Sequence, residues 1–178
     1  MARVMRRRPD QLTTGEWAVI GLVAEGPTHG FAVARALEPD GEVGRVWSMR
    51  RPLVYRTLDV LEGRELTLTA GTEASTAGPQ RTLVDLTEEG RRRVEEWLVE
   101  PVEHVRDARS ELLLKLLFLD RRGKAPDALL DAQRERFREQ ERELRSLLDA
   151  AEGFTRTLAL WRVENTAAAV RFVDALGH

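Results

Sequence analysis

A mainly α-helical protein in two parts, carrying one short β-hairpin, is what this sequence predicts. Three observations carry that reading. Apolar residues recur at helical spacing along most of the 178 residues. Residues 66–69 and 81–86 are short runs rich in Thr, Leu and Val around a Gly/Ser/Thr/Pro segment, the pattern of a two-stranded hairpin with a long tip. Beyond Pro126 the apolar spacing becomes a heptad repeat.

The first helix begins after Thr13. Thr13, Thr14, Gly15 and Glu16 form a capping box, in which the Thr13 hydroxyl serves the N–H of Glu16 and the Glu16 carboxylate reaches back. Trp17, Ile20, Leu22, Val23 and Ala24 supply its apolar positions, and Gly26-Pro27 ends it. A second helix is expected over residues 30–37, with Phe31, Val33, Ala34 and Leu37 apolar, before a turn at Pro39-Asp40-Gly41. A third starts at Pro52, which suits the first helical position because its missing N–H would be unpaired there. Leu53, Val54, Leu58 and Leu61 form its apolar stripe, and Trp17, Trp47, Leu58 and Leu61 are expected in the core. After the hairpin, Thr87 caps a fourth helix whose first turn holds Glu88 and Glu89, where the helix dipole favours acids. Three helices followed by a β-ribbon is the order of a winged helix-turn-helix.

Glu100-Pro101 marks the boundary between this DNA-binding domain (12–100) and a wholly helical dimerisation domain (101–178). One helix is expected over residues 102–119, a connector at Arg121-Arg122-Gly123, and from Pro126 a helix of about 40 residues reaching about 60 Å. Its seam runs Leu130, Gln133, Phe137, Gln140, Leu144, Leu147, Ala151, Phe154, Leu158, Trp161 and Asn165, at alternating spacings of three and four. So long a helix must pack on another element, most economically on a copy of itself. Gln133 and Gln140 would set the register, Gly153 marks a bend, and residues 166–176 form a last helix.

Composition narrows the function classes. With 42% hydrophobic and 33% charged residues, the chain is a soluble globular protein. The absence of Cys removes disulfides and thiolate metal sites and fits a reducing cytoplasm. The opening MARVMRRRPD lacks the apolar run of a secretory signal, and no apolar stretch is long enough for a membrane span. Residues 1–60 hold nine basic against seven acidic residues, and the remainder 19 against 23, so the front is mildly basic and the back acidic. His29, His104 and His178 share no metal-binding spacing, and no Gly-rich phosphate loop or Cys nucleophile occurs. The expectation is a protein that is no enzyme and needs no cofactor or metal.

The sequence resembles the PadR family of bacterial transcriptional regulators. The residues that carry the resemblance are Gly26-Pro27-Thr28-His29-Gly30-Phe31, Val46-Trp47-Ser48 and Val54-Tyr55-Arg56-Thr57-Leu58-Asp59-Val60-Leu61-Glu62. Gly78-Pro79-Gln80-Arg81 on the wing and Leu86-Thr87-Glu88-Glu89-Gly90 follow. Leu112-Leu113-Leu114-Lys115-Leu116-Leu117-Phe118 and Ala169-Val170-Arg171-Phe172 look like the longer, helical-tailed branch. The resemblance implies an N-terminal winged helix, a C-terminal helical dimerisation region, and repression of nearby genes, often relieved in this family by a small, frequently aromatic ligand. Three residues depart from it. Glu65 stands where the family usually has Gly, Val84 replaces a common aromatic, and Asp85 often has a basic counterpart.

A recognition helix needs donors at the end that enters the major groove. Arg50, Arg51, Tyr55 and Arg56 lie there; Arg can fork onto guanine and the Tyr hydroxyl can bind phosphate. The bland alternative for these residues is surface ion pairing with Asp59 or Glu62. Thr28 and His29 open the second helix, where they either hold a phosphate or merely cap it. Arg81 reaches DNA from the wing or is simply solvated, and Arg6, Arg7 and Arg8 form either an arm along the phosphates or an ordinary basic tail. Trp97, Phe137, Phe154 and Trp161 are either packing or the lining of a cavity between subunits that holds an aromatic effector. The expected partners are a palindromic DNA operator and a second copy of the chain. The competing expectation is an interaction adaptor built on the long helix, without DNA binding.

Overall fold

The computed structural model describes residues 11–73 and 80–177. Arg6, Arg7 and Arg8, Gly78-Pro79 of the wing and His178 therefore lie outside the described residues. The chain divides into two compact units, Met1–Val94 and Glu95–His178.

In the first unit, helix α1 (Thr14–Val23) starts on the expected capping box. The Glu16 N–H donates to the Thr13 hydroxyl at 3.1 Å, and the Thr13 N–H donates to the Glu16 carboxylate at 2.6 Å. Ala18 through Val23 are all buried, so α1 is the centre of the unit and not an amphipathic surface helix. Strand β1 (Thr28–His29) follows, then α2 (Gly30–Ala36), α3 (Arg51–Gly63), β2 (Thr67–Glu73), β3 (Arg81–Leu86) and α4 (Glu88–Val99). The sheet is antiparallel in the order β1-β3-β2, with Thr28 opposite Val84 and Thr67 opposite Leu86. This is the winged helix-turn-helix expected from the element order. Strand β1 was not legible: two residues expected to open a helix first pair with the wing. Strand β2 also runs four residues past the expected end, over a bulge at Gly71 where the backbone is left-handed.

Helix α3 buries Val54, Thr57, Leu58 and Leu61. Leu53, expected in that stripe, is 49% exposed. Thr57 takes the inward position instead, its hydroxyl donating to the Leu53 carbonyl at 2.8 Å and so carrying no unpaired polar group inward. Past α3, Glu65 sits at φ +58°, the left-handed region that glycine enters freely and other residues reach at a cost of about 1 kcal/mol. The position where the resemblance implies Gly thus has the backbone that favours it. The Thr87 hydroxyl holds this corner together: it donates to the Glu65 carbonyl at 2.7 Å and accepts the Gly90 N–H at 3.0 Å as the cap of α4.

The second unit begins inside α4, where Trp97 and Leu98 are buried. The helix expected over 102–119 starts later and less regularly, as α5 (Val105–Asp107), a π-helical turn (Ala108–Leu112) and α6 (Leu113–Arg121). Within this apolar run Lys115 is buried; its ammonium donates to the Glu100 carbonyl at 2.5 Å and lies 3.5 Å from Glu111. Burial draws its pKa below the ordinary lysine value, against the pull of Glu111 and Glu100.

The expected 40-residue helix is two helices, α7 (Asp127–Asp149) and α8 (Gly153–Leu176), and the separate helix expected over 166–176 is the end of α8. Gly153, at φ +54°, takes a backbone that a continuing right-handed helix excludes, and it marks a reversal and not a bend. Arg134 and Arg138, on α7, meet Asp174 near the end of α8 at 2.7 and 3.2 Å, so the two helices run antiparallel against each other. Gln133 sets no register between copies within this unit. It is fully buried and clamps the Val102 backbone, accepting its N–H at 2.7 Å and donating to its carbonyl at 3.1 Å. No helix among the described residues is long and apolar enough to cross a membrane.

Candidate nucleic-acid interface

The start of α2, the start of α3 and the wing converge in the first unit. Gly30 allows the approach: a Cβ there would lie 2.6 Å from the Tyr55 ring and 3.3 Å from Leu58. His29 caps α2, its Nδ1 accepting the Ala32 N–H at 3.0 Å. With Nδ1 accepting, the neutral ring carries its proton on Nε2. The Arg81 guanidinium lies 3.1 Å from that Nε2. The two groups converge on one exposed spot, where an anionic oxygen would accept from the Arg81 guanidinium and, with the ring proton on Nε2, from His29.

Phe31, an apolar position of the expected second helix, is exposed and serves as a platform. The Arg51 guanidinium lies 5.0 Å from its ring centroid and that of Arg81 lies 5.7 Å from it. One exposed ring thus gathers a cation from α3 and a cation from the wing. Arg51 is further held by Glu38 at 3.3 Å, and not by Asp59 or Glu62, the partners of the bland alternative. Both side chains are about half exposed, so this pair opens at little cost. Arg50 and Arg56 are exposed and have no ion-pair partner among the described residues.

Helix α3 presents two unlike flanks. Tyr55, Asp59 and Glu62 line a cleft of about 390 Å³ shared with His29, Phe31, Arg81 and the base of the wing. Glu62 accepts the Thr69 hydroxyl there at 3.2 Å. On the other flank, Leu53, Arg56 and Val60 stand in one ridge at spacings of three and four, all exposed. Asp85, where the family often has a basic residue, is largely covered. Its carboxylate pairs with Arg91 at 2.9 Å and accepts the Leu86 N–H at 2.6 Å. In α4, hydrogen bonds from Arg92 and Arg93 hold the Glu89 carboxyl down at about 2.

The structure thus brings His29, Arg51, Tyr55 and Arg81 together and leaves Arg50 and Arg56 exposed, Arg56 on the other flank of α3, while Thr28 is half-buried in β1. Sequence reasoning did not single out Phe31, and it placed Leu53 in the buried stripe of α3, because an apolar residue at helical spacing is read as packing. The four aromatics read as an effector site divide. Phe137 is fully buried, and Trp97 is buried with its indole N–H on Glu111 at 2.9 Å and the Lys115 ammonium 5.1 Å from its ring centroid. Phe154 and Trp161 are 80% and 67% exposed.

No curated protein matches the chain. Among solved structures, it is similar to Bacillus subtilis PadR in complex with operator DNA, at 19% identity and a TM-score of 0.46, covering 92% of this chain and 97% of that one. It is similar to the same protein in complex with p-coumaric acid at 18% identity and a TM-score of 0.43, covering 92% and 96%. The PadR-like transcriptional regulator BC1756 from Bacillus cereus aligns at 15% identity and a TM-score of 0.42, covering 95% and 97%. The sequence match is to a family model, and it spans most of the first unit and the start of the second: residues 19–96 match the Transcriptional regulator PadR-like family.

Proposed function

We propose that the chain is a cytoplasmic transcriptional repressor that binds a palindromic DNA operator as a homodimer, with residues 12–100 reading DNA and residues 101–178 pairing the subunits. The observation that carries this reading is the pair of converging donors, His29 Nε2 and Arg81, beside the Arg51 guanidinium on Phe31. A backbone phosphate would accept from both groups, and positioning on phosphate comes before base reading. Arg50 and Arg56, exposed at the start of α3, are then the groups placed to fork onto guanine, and Tyr55 to bind phosphate.

Dimerisation is supported by α8. Its inward stripe is Ala159, Val163, Thr166, Val170 and Val173, whereas Phe154, Leu158, Trp161, Phe172 and Leu176 remain exposed along a second stripe. Exposed apolar side chains gathered on one face of a helix mark an association surface. Paired through it, two subunits would offer their α3 helices to half-sites about 34 Å apart. An aromatic effector held between subunits would stack on Phe154 or Trp161, since Trp97 and Phe137 are enclosed.

The test is a mobility-shift assay of the full chain on its gene's own upstream DNA across a salt series. Expected is binding that weakens steeply with salt, with Arg81→Ala reducing the slope by about one counterion per subunit. Absence of binding to any duplex at low ionic strength would refute the reading.

A further inference from the structure

Resting on the DNA-binding reading above, we propose that Leu53 is a base-reading residue that packs on the C5 methyl group of a thymine in each operator half-site.

Leu53 lies in the first turn of α3, next to Arg50 and Arg51 and one turn before Arg56. Its neighbour Val54 is fully buried, and the inward stripe of Val54, Thr57, Leu58 and Leu61 fixes the rotation of the helix, so Leu53 stays outside at 49% exposure. It does not belong to the cleft under the wing, which takes Tyr55, Asp59 and Glu62 from the opposite flank. An isolated surface leucine is ordinary. This one is set among three arginines at the end of a helix built to enter a polyanion, and none of the described wing residues shares a cleft with it.

The major-groove floor offers hydrogen-bond donors and acceptors on every base pair and a single kind of apolar group, the thymine methyl. A leucine pressed onto any other edge leaves the amino or carbonyl group beneath it without a partner, whereas on thymine both apolar surfaces leave water together. Arg56, on the same ridge, supplies the polar anchor that holds Leu53 in the groove.

The experiment uses the full chain and the tightest duplex that it selects from a randomised library. Each thymine is replaced singly by deoxyuridine, which removes only the methyl group, and binding is compared between the wild type and Leu53→Ala. Expected is one thymine per half-site at which deoxyuridine weakens wild-type binding roughly fourfold, the value of one buried methyl, with no such effect in Leu53→Ala. Leu53→Thr, which keeps one methyl, should fall between the two, and circular dichroism of both variants should match the wild type. Deoxyuridine that is silent at every thymine in the wild type, or equally costly in Leu53→Ala, overturns the assignment while leaving DNA binding intact. A wild type that selects no duplex overturns DNA binding itself, and this assignment with it.

Discussion

The two ends of the heptad seam have the same spacing in sequence and opposite fates in the fold. At its start, Leu130, Gln133 and Phe137 on α7 are all buried within their own unit. At its end, Phe154 and Trp161 on α8 are among the most exposed large side chains, and Leu158 is 40% exposed. Helix α8 is not short of a core; it buries a different stripe, rotated around the helix, against the rest of the unit. A heptad read from sequence therefore reports that a face is apolar. It does not report whether the cover for that face comes from the same chain.

The contrast can be broken most forcefully at Phe137. Phe137→Ala opens a cavity in a fully buried site and should cost about 3–5 kcal/mol in denaturant unfolding. A loss below about 1 kcal/mol would mean that this half of the seam is as loosely held as the other. Gln133→Leu keeps the volume but strands both the N–H and the carbonyl of Val102, for an expected loss of about 2–4 kcal/mol. Were the seam's start an apolar packing site like any other, leucine would instead stabilise it.

Trp161→Glu sharpens the other side of the comparison. At concentrations where the protein is monomeric, its unfolding should stay within about 0.5 kcal/mol of the wild type, while sedimentation shows self-association lost. The smallest effect is expected where α7 and α8 are tied together. The hydrogen bond from Arg134, with help from Arg138, holds the Asp174 carboxyl below its ordinary range. A depressed carboxylate contributes its stability above the unfolded pKa, near 3.8, and loses it as pH falls through the lower folded value. The melting-temperature gap between wild type and Asp174→Asn should therefore be small and constant above about pH 5 and should close below pH 4. A gap that widened on acidification would contradict the pairing.

Much of the first unit was legible because its signals are local. The Thr13 capping box, Pro52 at the head of α3 and the Thr87 cap each act within one helical turn, and each appears where the spacing puts it. The left-handed backbone at Glu65 was legible through the resemblance alone. Strand β1 was not, because its two residues become a strand only by pairing with β3, more than fifty positions away. The roles of Phe31 and Leu53 were not legible for a related reason. Periodicity marks which residues are apolar, and only the fold shows that the Phe31 ring is wanted outside by the Arg51 and Arg81 guanidinium groups. The 40-residue helix failed at one short turn: the extended Glu152 and the left-handed Gly153 turn a continuous seam into a hairpin.

The central claim, that two copies of the chain present paired cationic reading heads to one duplex, is tested most directly by sedimenting the protein with its own upstream DNA at low and moderate salt. The account predicts two chains per duplex and an affinity that falls by orders of magnitude as salt rises from about 50 to 200 mM. A complex of one chain per duplex, or no complex at the lower salt, would contradict it.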